Sequence, residues 1–321
     1  MQVSDNNVSL IIVRGSEFDL TRIDFSFANY RFVPLDSSLI DDYLFGRSDV
    51  ESDYLANIRA WYTRGHQIHD PHYAILSIDP NQASWNHAMR CIWLLTITYP
   101  SDLQKMFEIR YVRTSPTSIV QVSMTEYDRY ENFNPMQIPD DELSSLQEFL
   151  VLAFDRIGSE DYISQVVDAY LQSRQSSLVH HSYLSLTMAL ETILDGKEEL
   201  TYRLKRAIAI ILGRTIDSCE VLFGMVGHMY GLRSTIIHGE RFKREELNYY
   251  LPTLEKLVSR LIIELIVHNV DTRIALGRIM NKSGFGDYSK ISEAHKEFVF
   301  NSKTYDILNI VEYSKYKAKA K

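Results

Sequence analysis

The sequence has 321 residues, of which 45% are apolar and 24% are charged, and its formal net charge is −8. This length suits two domains, and the composition is that of an ordinary globular protein, which excludes disorder throughout the chain. The acidic net charge argues against non-specific electrostatic binding of nucleic acid along the whole surface. Residues 197–260, however, contain 11 basic and 8 acidic side chains and so form a locally basic region of net charge +3.

The two cysteines, Cys91 and Cys219, do not belong to a CxxC pair. We therefore expect neither a cysteine zinc site nor a disulfide framework. The low cysteine content predicts that the protein resides in a reducing compartment. The first residues lack a basic stretch followed by an apolar one, so we expect no signal peptide. No apolar run reaches the roughly 18 residues that a membrane span requires. These features predict a cytoplasmic protein that does not associate with membranes.

The N-terminal half combines short β-rich runs with helical patterns, which predicts a mixed α/β domain. Trp85 and Trp93 stand eight residues apart on one face of a helical pattern, and we interpret them as core packing in preference to a base-stacking platform. Strands are predicted at 8–13, 23–33, 73–78, 106–112 and 118–127, the last two as a hairpin or two edge strands, and helices at 36–45, 52–62 and 83–98.

From residue 140 onward the periodicity is helical, which predicts an all-α bundle. Asp217 and Glu220 form a D-x-x-E capping box ahead of one helix, and Pro252 predicts a kink or a start in the last one. The helical patterns cover 140–156, 162–172, 180–194, 202–212, the stretch after 217, and 245–270. The predicted class is thus α+β, with a mixed α/β domain at 1–150, a helical bundle at 151–275 and an extension with a basic tail at 276–321.

Several histidines could in principle bind a metal ion. His66, His69 and His72 with Asp70 are the one metal-like cluster, but Pro71 makes this segment a loop. Zinc sites of this spacing without a further ligand are unusual, so we expect no bound metal. His180, His181 and His228 are interpreted as structural residues, with the alternative that His228, ten residues before His238, approaches the same site.

Residues 229–240, MYGLRSTIIHGE, place Arg233 and His238 at the end of an apolar helical run. RNA can be cleaved without a metal by its own 2′-hydroxyl, given a base, an acid and a cation near the phosphate. Histidine transfers protons near neutral pH, and the arginine fork matches two phosphate oxygens. His238 is therefore the candidate acid/base, and Arg233 the candidate stabiliser of the phosphate.

The spacing of this pair imposes a condition. Residues i and i+5 of an ideal helix are about 140° apart. The two side chains share a face only if the helix is distorted, for which Gly227, Gly231 and Gly239 are candidates, or if one residue lies beyond an end. Dimerisation, which would bring in a second copy of the pair, is another solution.

The arginine, four residues and histidine resemble the R-x4-6-H motif of the HEPN superfamily, and residues 184–240 are most similar to its Apea-like branch. The likeness covers about residues 180–270, the C-terminal part only. It implies a helical bundle, a metal-independent endoribonuclease that needs no cofactor, and a homodimer in which two motifs face each other across a cleft. It also implies roles for three further residues: Glu191 in an Ala-Leu-Glu element would orient Arg233 or His238, and Tyr230 and Ser234 would contact the substrate.

Three functions are compared. The first is an RNA-cleaving, toxin-like effector of antiphage defence, whose N-terminal domain senses a phage-derived or cellular trigger. The alternative is a non-catalytic HEPN-like module that binds RNA, nucleotide or protein. An N-terminal enzyme with a helical dimerisation domain ranks last, because the sequence has no Gly-rich phosphate loop, HExxH or GxSxG motif.

Overall fold

The structure is a computed structural model, and its contacts divide the chain into two compact units. The first unit is Met1–Thr96 with Ser101–Ile138, and the second is Ile97–Pro100 with Pro139–Lys321. The division falls at 138/139, whereas the sequence patterns put the domain limit at 150. The structure describes residues 7–35, 72–79, 82–112, 115–124, 134–158, 162–193, 199–213 and 216–284.

The first unit contains a six-stranded antiparallel sheet with the strand order β2-β3-β4-β1-β5-β6. Strand β1, one of the two central strands, is apolar on both faces, since its residues Ile11, Ile12 and Val13 are all buried. Helix α1 spans Trp85–Thr98, of which the last two residues belong to the second unit, and the rings of Trp85 and Trp93 lie edge to face at 6.5 Å. The strands are β1 Asn7–Arg14, β2 Asp24–Phe25, β3 Tyr30–Pro34, β4 Tyr73–Ser77, β5 Gln104–Val112 and β6 Ser115–Met124.

The prediction of one strand over 23–33 is wrong, because the chain reverses inside it. A carboxylate oxygen of Asp24 accepts the Ser26 backbone N–H at 2.7 Å. Asn29 then adopts a left-handed conformation with φ 68°, which asparagine tolerates better than most residues. The result is a tight β2–β3 hairpin in which Phe25 pairs with Tyr30. The predicted hairpin at 106–127 is confirmed as β5 paired with β6.

The second unit is helical, so the α+β class is confirmed. Helix α3 packs on α4, α5 on α6, and α4 on α7. Asp217 lies inside α6 and Pro252 inside α7, so neither residue marks the start of its helix. The helices are α2 Leu143–Ala153, α3 Tyr162–Gln175, α4 Val179–Ile193, α5 Leu200–Leu212, α6 Ile216–Ile237, α7 Arg244–Val267 and α8 Arg273–Gly284. Helix α8 crosses the predicted limit at 275.

Helix α7 carries a buried ion pair within its apolar surface. Arg260 and Glu264, one turn apart, have 0% and 1% exposed side chains, and Arg260 Nη2 lies 2.7 Å from Glu264 Oε1. His268 at the end of the helix lies 3.4 Å from the other carboxylate oxygen. Removal of either partner would leave the other charge buried without it, which is strongly destabilising.

Several predictions fall outside the described residues. They include the helices at 36–45 and 52–62, most of the histidine cluster at 66–72, and the basic tail. Among the helices that the structure does describe, none has the length and apolarity to cross a membrane.

Candidate functional site

Helix α6 ends in a hydrogen-bonded turn that includes the motif histidine. Gly239 has φ 68°, a conformation that glycine adopts without strain. Its N–H donates to the Ile236 carbonyl at 3.2 Å, and the Glu240 N–H donates to the Thr235 carbonyl at 3.0 Å. These two bonds define a Schellman motif, in which Gly239 follows the last helical residues. His238 is therefore the C-cap of α6.

The helix between Arg233 and His238 is regular. Helix α6 is continuous to Ile237, and the His238 N–H still donates to the Ser234 carbonyl at 3.0 Å. The distortion suggested near Gly227 and Gly231 does not occur. At the helical rotation per residue the two side chains leave the helix about 140° apart. His238 follows the last helical residue, and no hydrogen bond or ion pair joins it to Arg233 within the described ranges.

Arg233, Glu191 and Tyr230 form a compact group, called here the Arg233 cluster. Arg233 Nη2 lies 2.8 Å from Glu191 Oε1, and about a quarter of each side chain is exposed. The Tyr230 hydroxyl donates to the same carboxylate oxygen at 2.8 Å. The guanidinium carbon lies 5.3 Å from the centre of the Tyr230 ring, within the range of a cation–π contact. Glu191 thus orients Arg233 and Tyr230, and no contact joins it to His238 in the described structure.

The cluster stabilises the protonated form of Tyr230. Burial, and then the hydrogen bond and charge of Glu191, raise the pKa of Tyr230 to about 12, while Arg233 opposes them. Tyr230 is therefore a hydrogen-bond donor at neutral pH. The Nε atom of Arg233 is buried without a hydrogen-bond partner among the described residues. That N–H is an unsatisfied buried donor inside the cluster, and the exposed part of Arg233, about a quarter of its side chain, is what an anionic group could contact.

The position of Glu191 follows from how α4 packs on α6. Leu186, Leu190 and Ile193 form the buried stripe of α4, and Glu191 stands beside that stripe. The buried hydroxyl of Tyr183, two turns earlier, donates to the Met229 carbonyl at 2.9 Å. This bond attaches α4 to α6 one residue before Tyr230, so the cluster rests on two rigid helices.

The remaining motif residues are placed differently. The His238 side chain is exposed, and Ser234 is half-buried. His228 lies away from the cluster, 3.3 Å from Glu246 and with its ring 5.1 Å from that of Tyr250.

Two other histidines lie at the start of α4. The rings of His180 and His181 are 4.4 Å apart, and His180 also faces Phe242 at 6.2 Å. Burial, with a smaller contribution from His181, lowers the pKa of His180. No group of His, Cys, Asp or Glu that could hold a metal ion occurs in the described ranges.

An open groove of about 790 Å³ reaches the cluster from the start of α5. Its size is within the range of small-molecule sites, about 300–1,000 Å³. Sequence reasoning missed the groove, because its walls come from two segments that only the fold brings together. Its lining consists of Glu199, Leu200, Thr201, Tyr202 and Tyr230.

No protein-family model, curated protein or solved structure matches this chain. The likeness to the HEPN superfamily accordingly stays a prediction from the motif residues.

Proposed function

We propose that the protein is a metal-independent endoribonuclease of HEPN type. The observation that carries this proposal is the Arg233 cluster, which precedes an exposed His238 on the same helix. It combines a guanidinium that is about a quarter exposed, a neutral phenol and an accessible imidazole along the last turns and the C-cap of α6. These groups suit the stabilisation of a phosphate and the transfer of a proton.

In the proposed reaction one His238 takes the proton of the RNA 2′-hydroxyl. The 2′-oxygen forms a bond to phosphorus, and the bond from phosphorus to the 5′-oxygen breaks. A second imidazole, already protonated, gives its proton to that 5′-oxygen. The products are a 2′,3′-cyclic phosphate and a free 5′-hydroxyl. Arg233 offsets the charge that develops on the phosphate, and Tyr230 and Ser234 contact the substrate.

A homodimer through the helical bundle fits this scheme. Positions five apart on an ideal helix differ by about 140°, and a second copy would bring its own pair to a shared cleft and supply separate acid and base. We further propose an effector of antiphage defence, with the first unit as the receptor of a phage-derived or cellular trigger. Cys91 and Cys219 are both free thiols, which suits the reducing cytoplasm that we assign to it.

The second candidate is a non-catalytic module that binds RNA, nucleotide or protein. It is favoured by the ion pair of Arg233 with Glu191, which already occupies part of the arginine fork. Under this reading the cluster is a structural contact between α4 and α6, and His238 serves only as the C-cap of α6.

The test is cleavage of a mixed RNA pool in EDTA by the wild type, His238→Ala and the matched control His228→Ala. His228 is an exposed histidine on the same helix. We expect the wild type and the control to yield ends with 2′,3′-cyclic phosphate, and His238→Ala to cleave about 10²- to 10⁴-fold more slowly. Cleavage that persists in His238→Ala refutes the assigned chemistry. No cleavage by any of the three, with RNA binding retained, favours the binding module.

A further inference from the structure

The exposed face of helix α5 carries an aromatic and basic stripe. Tyr202, Lys205 and Arg206 stand at positions i, i+3 and i+4, which are neighbours on a helix surface. Tyr202 is 53% exposed, although a large aromatic side chain is more often buried. Arg206 is exposed as well, and it has no ion pair with another residue of the described ranges. The stripe thus presents a ring and a cation to solvent side by side.

The ring of Tyr202 is held from behind. It meets Phe223 of α6 edge to face, with ring centres 5.9 Å apart and planes at 78°. Lys205 Nζ lies 4.0 Å from the centre of the same Phe223 ring. Gly227 gives the lysine room, since a Cβ at that position would lie 2.8 Å from Lys205 Cε. A ring fixed by such contacts loses little further freedom when a ligand stacks on it.

One residue of the stripe, Tyr202, and one of the Arg233 cluster, Tyr230, line the same groove. Tyr202 lines one part of the groove and Tyr230 another, and Tyr230 contacts Arg233 and Glu191 directly. A ligand in the groove therefore meets the exposed ring of Tyr202 at one point and, at another, Tyr230, the cluster residue that contacts Arg233. A single-stranded nucleic acid alternates bases, which stack on aromatic rings, with phosphates, which bind cationic side chains.

We infer that the groove binds single-stranded RNA, with one base stacked on Tyr202 and the backbone beside it contacted by Arg206. The inference rests on the proposed function, because it takes RNA as the ligand of the Arg233 cluster, and it adds the subsite that holds the neighbouring nucleotide. Stacking on a ring tolerates any base. The groove would therefore favour unpaired RNA over a duplex, whose bases are not accessible for stacking.

The test measures binding in a His238→Ala background, so that cleavage does not interfere. The probe is a fluorescent single-stranded RNA of about ten nucleotides, followed by anisotropy. We expect Tyr202→Ala and Tyr202→Leu to raise Kd by about 5- to 100-fold and Tyr202→Phe to keep it. Leucine keeps apolar bulk against Phe223, so it separates stacking from folding. Arg206→Gln should reduce the slope of log Kd against log salt by about 0.7. The control is Tyr249→Ala, a similarly exposed tyrosine on α7, which should not change Kd.

The outcomes separate this inference from the proposed function. Unchanged Kd in all Tyr202 variants, with cleavage still dependent on His238, refutes the stacking site and leaves the nuclease standing. Tyr202-dependent binding by a protein that never cleaves supports the groove and refutes the nuclease. A protein that neither binds nor cleaves single-stranded RNA refutes both.

Discussion

Replacement of Glu191 by glutamine removes the charge that holds Arg233 and leaves the size of the side chain unchanged. The amide oxygen can still accept the Tyr230 hydroxyl, now at 2.8 Å from Glu191 Oε1. Arg233→Met removes the other charge and keeps the aliphatic stem. These two variants and their combination form a double-mutant cycle, which isolates the energy of the ion pair from other effects of each change.

The structure sets the size of the expected coupling. The pair is 2.8 Å long, and 24% of Arg233 and 23% of Glu191 are exposed. Exposed pairs contribute about 0.2–1 kcal/mol, and loss of one partner from a buried pair costs about 3–5 kcal/mol. A pair of intermediate exposure that shares its carboxylate with a phenol should have a coupling energy of about 1–2 kcal/mol, with each single variant less stable than the wild type.

The assay is urea unfolding at pH 7, followed by far-UV circular dichroism, which reports mainly on the helices. Linear extrapolation gives the free energy of unfolding for the four proteins of the cycle. If the two single changes add within about 0.3 kcal/mol, Arg233 and Glu191 do not interact, and the assignment of Glu191 as the residue that orients Arg233 is wrong.

Three further predictions follow from the pKa of Tyr230, the turn at Gly239 and the buried pair of α7. The difference in ultraviolet absorbance between the wild type and Tyr230→Phe should show one tyrosine that titrates at about pH 12. Because an unfolded tyrosine loses its proton near pH 10, its contribution to stability should be complete below pH 10 and fall between pH 10 and 12. Gly239→Ala should lower the free energy of unfolding by about 1 kcal/mol in urea, since the left-handed conformation disfavours a Cβ although that Cβ meets nothing within 4 Å. Arg260→Ala should cost about 3–5 kcal/mol in the same assay, and Arg260→Met combined with Glu264→Leu should recover most of it.

Each of these has an outcome that contradicts it. A difference spectrum with a midpoint at pH 10 would remove the contact of Tyr230 with the carboxylate. Equal stability of Gly239→Ala and Gly239→Asn with the wild type would mean that the helix does not end in the left-handed turn, since asparagine tolerates that conformation better than alanine. A double replacement on α7 as unstable as Arg260→Ala would show that the loss is one of packing and not of an unpaired charge.

The long helices could be predicted from sequence because apolar periodicity is a local property. Helix α4 is predicted by the spacing of Leu186, Leu190 and Ile193 alone, and all three side chains are buried in the structure. The hairpin within 23–33 could not be predicted in this way, because it depends on one carboxylate of Asp24 and one left-handed asparagine. Those interactions outweigh the β-branched and aromatic pattern of the stretch.

The candidate site likewise has residues that could be predicted from sequence and contacts that could not. Arg233 and His238 could be selected from their spacing, and Glu191 and Tyr230 came from the resemblance. That Glu191 accepts from both Tyr230 and Arg233 depends on how α4 lies on α6, which no local pattern encodes. Tyr202 could not be selected from sequence, because it is an ordinary member of a helical pattern. Only the fold places it beside Tyr230 in the lining of one groove.

The left-handed turn at Gly239 has a consequence for limited proteolysis. It turns the chain out of α6 into a segment, 237–245, in which every residue is exposed. Arg241, Lys243 and Arg244 in that segment are sites for trypsin, and exposed turns of this kind are preferred positions of proteolytic cleavage. A single nick there would leave Glu191, the motif arginine and His238 on one fragment, with α7 held only by its packing. A partner that covers the end of α6 should therefore slow tryptic cleavage in this segment, and the slower cleavage would reveal such a partner even before it is identified.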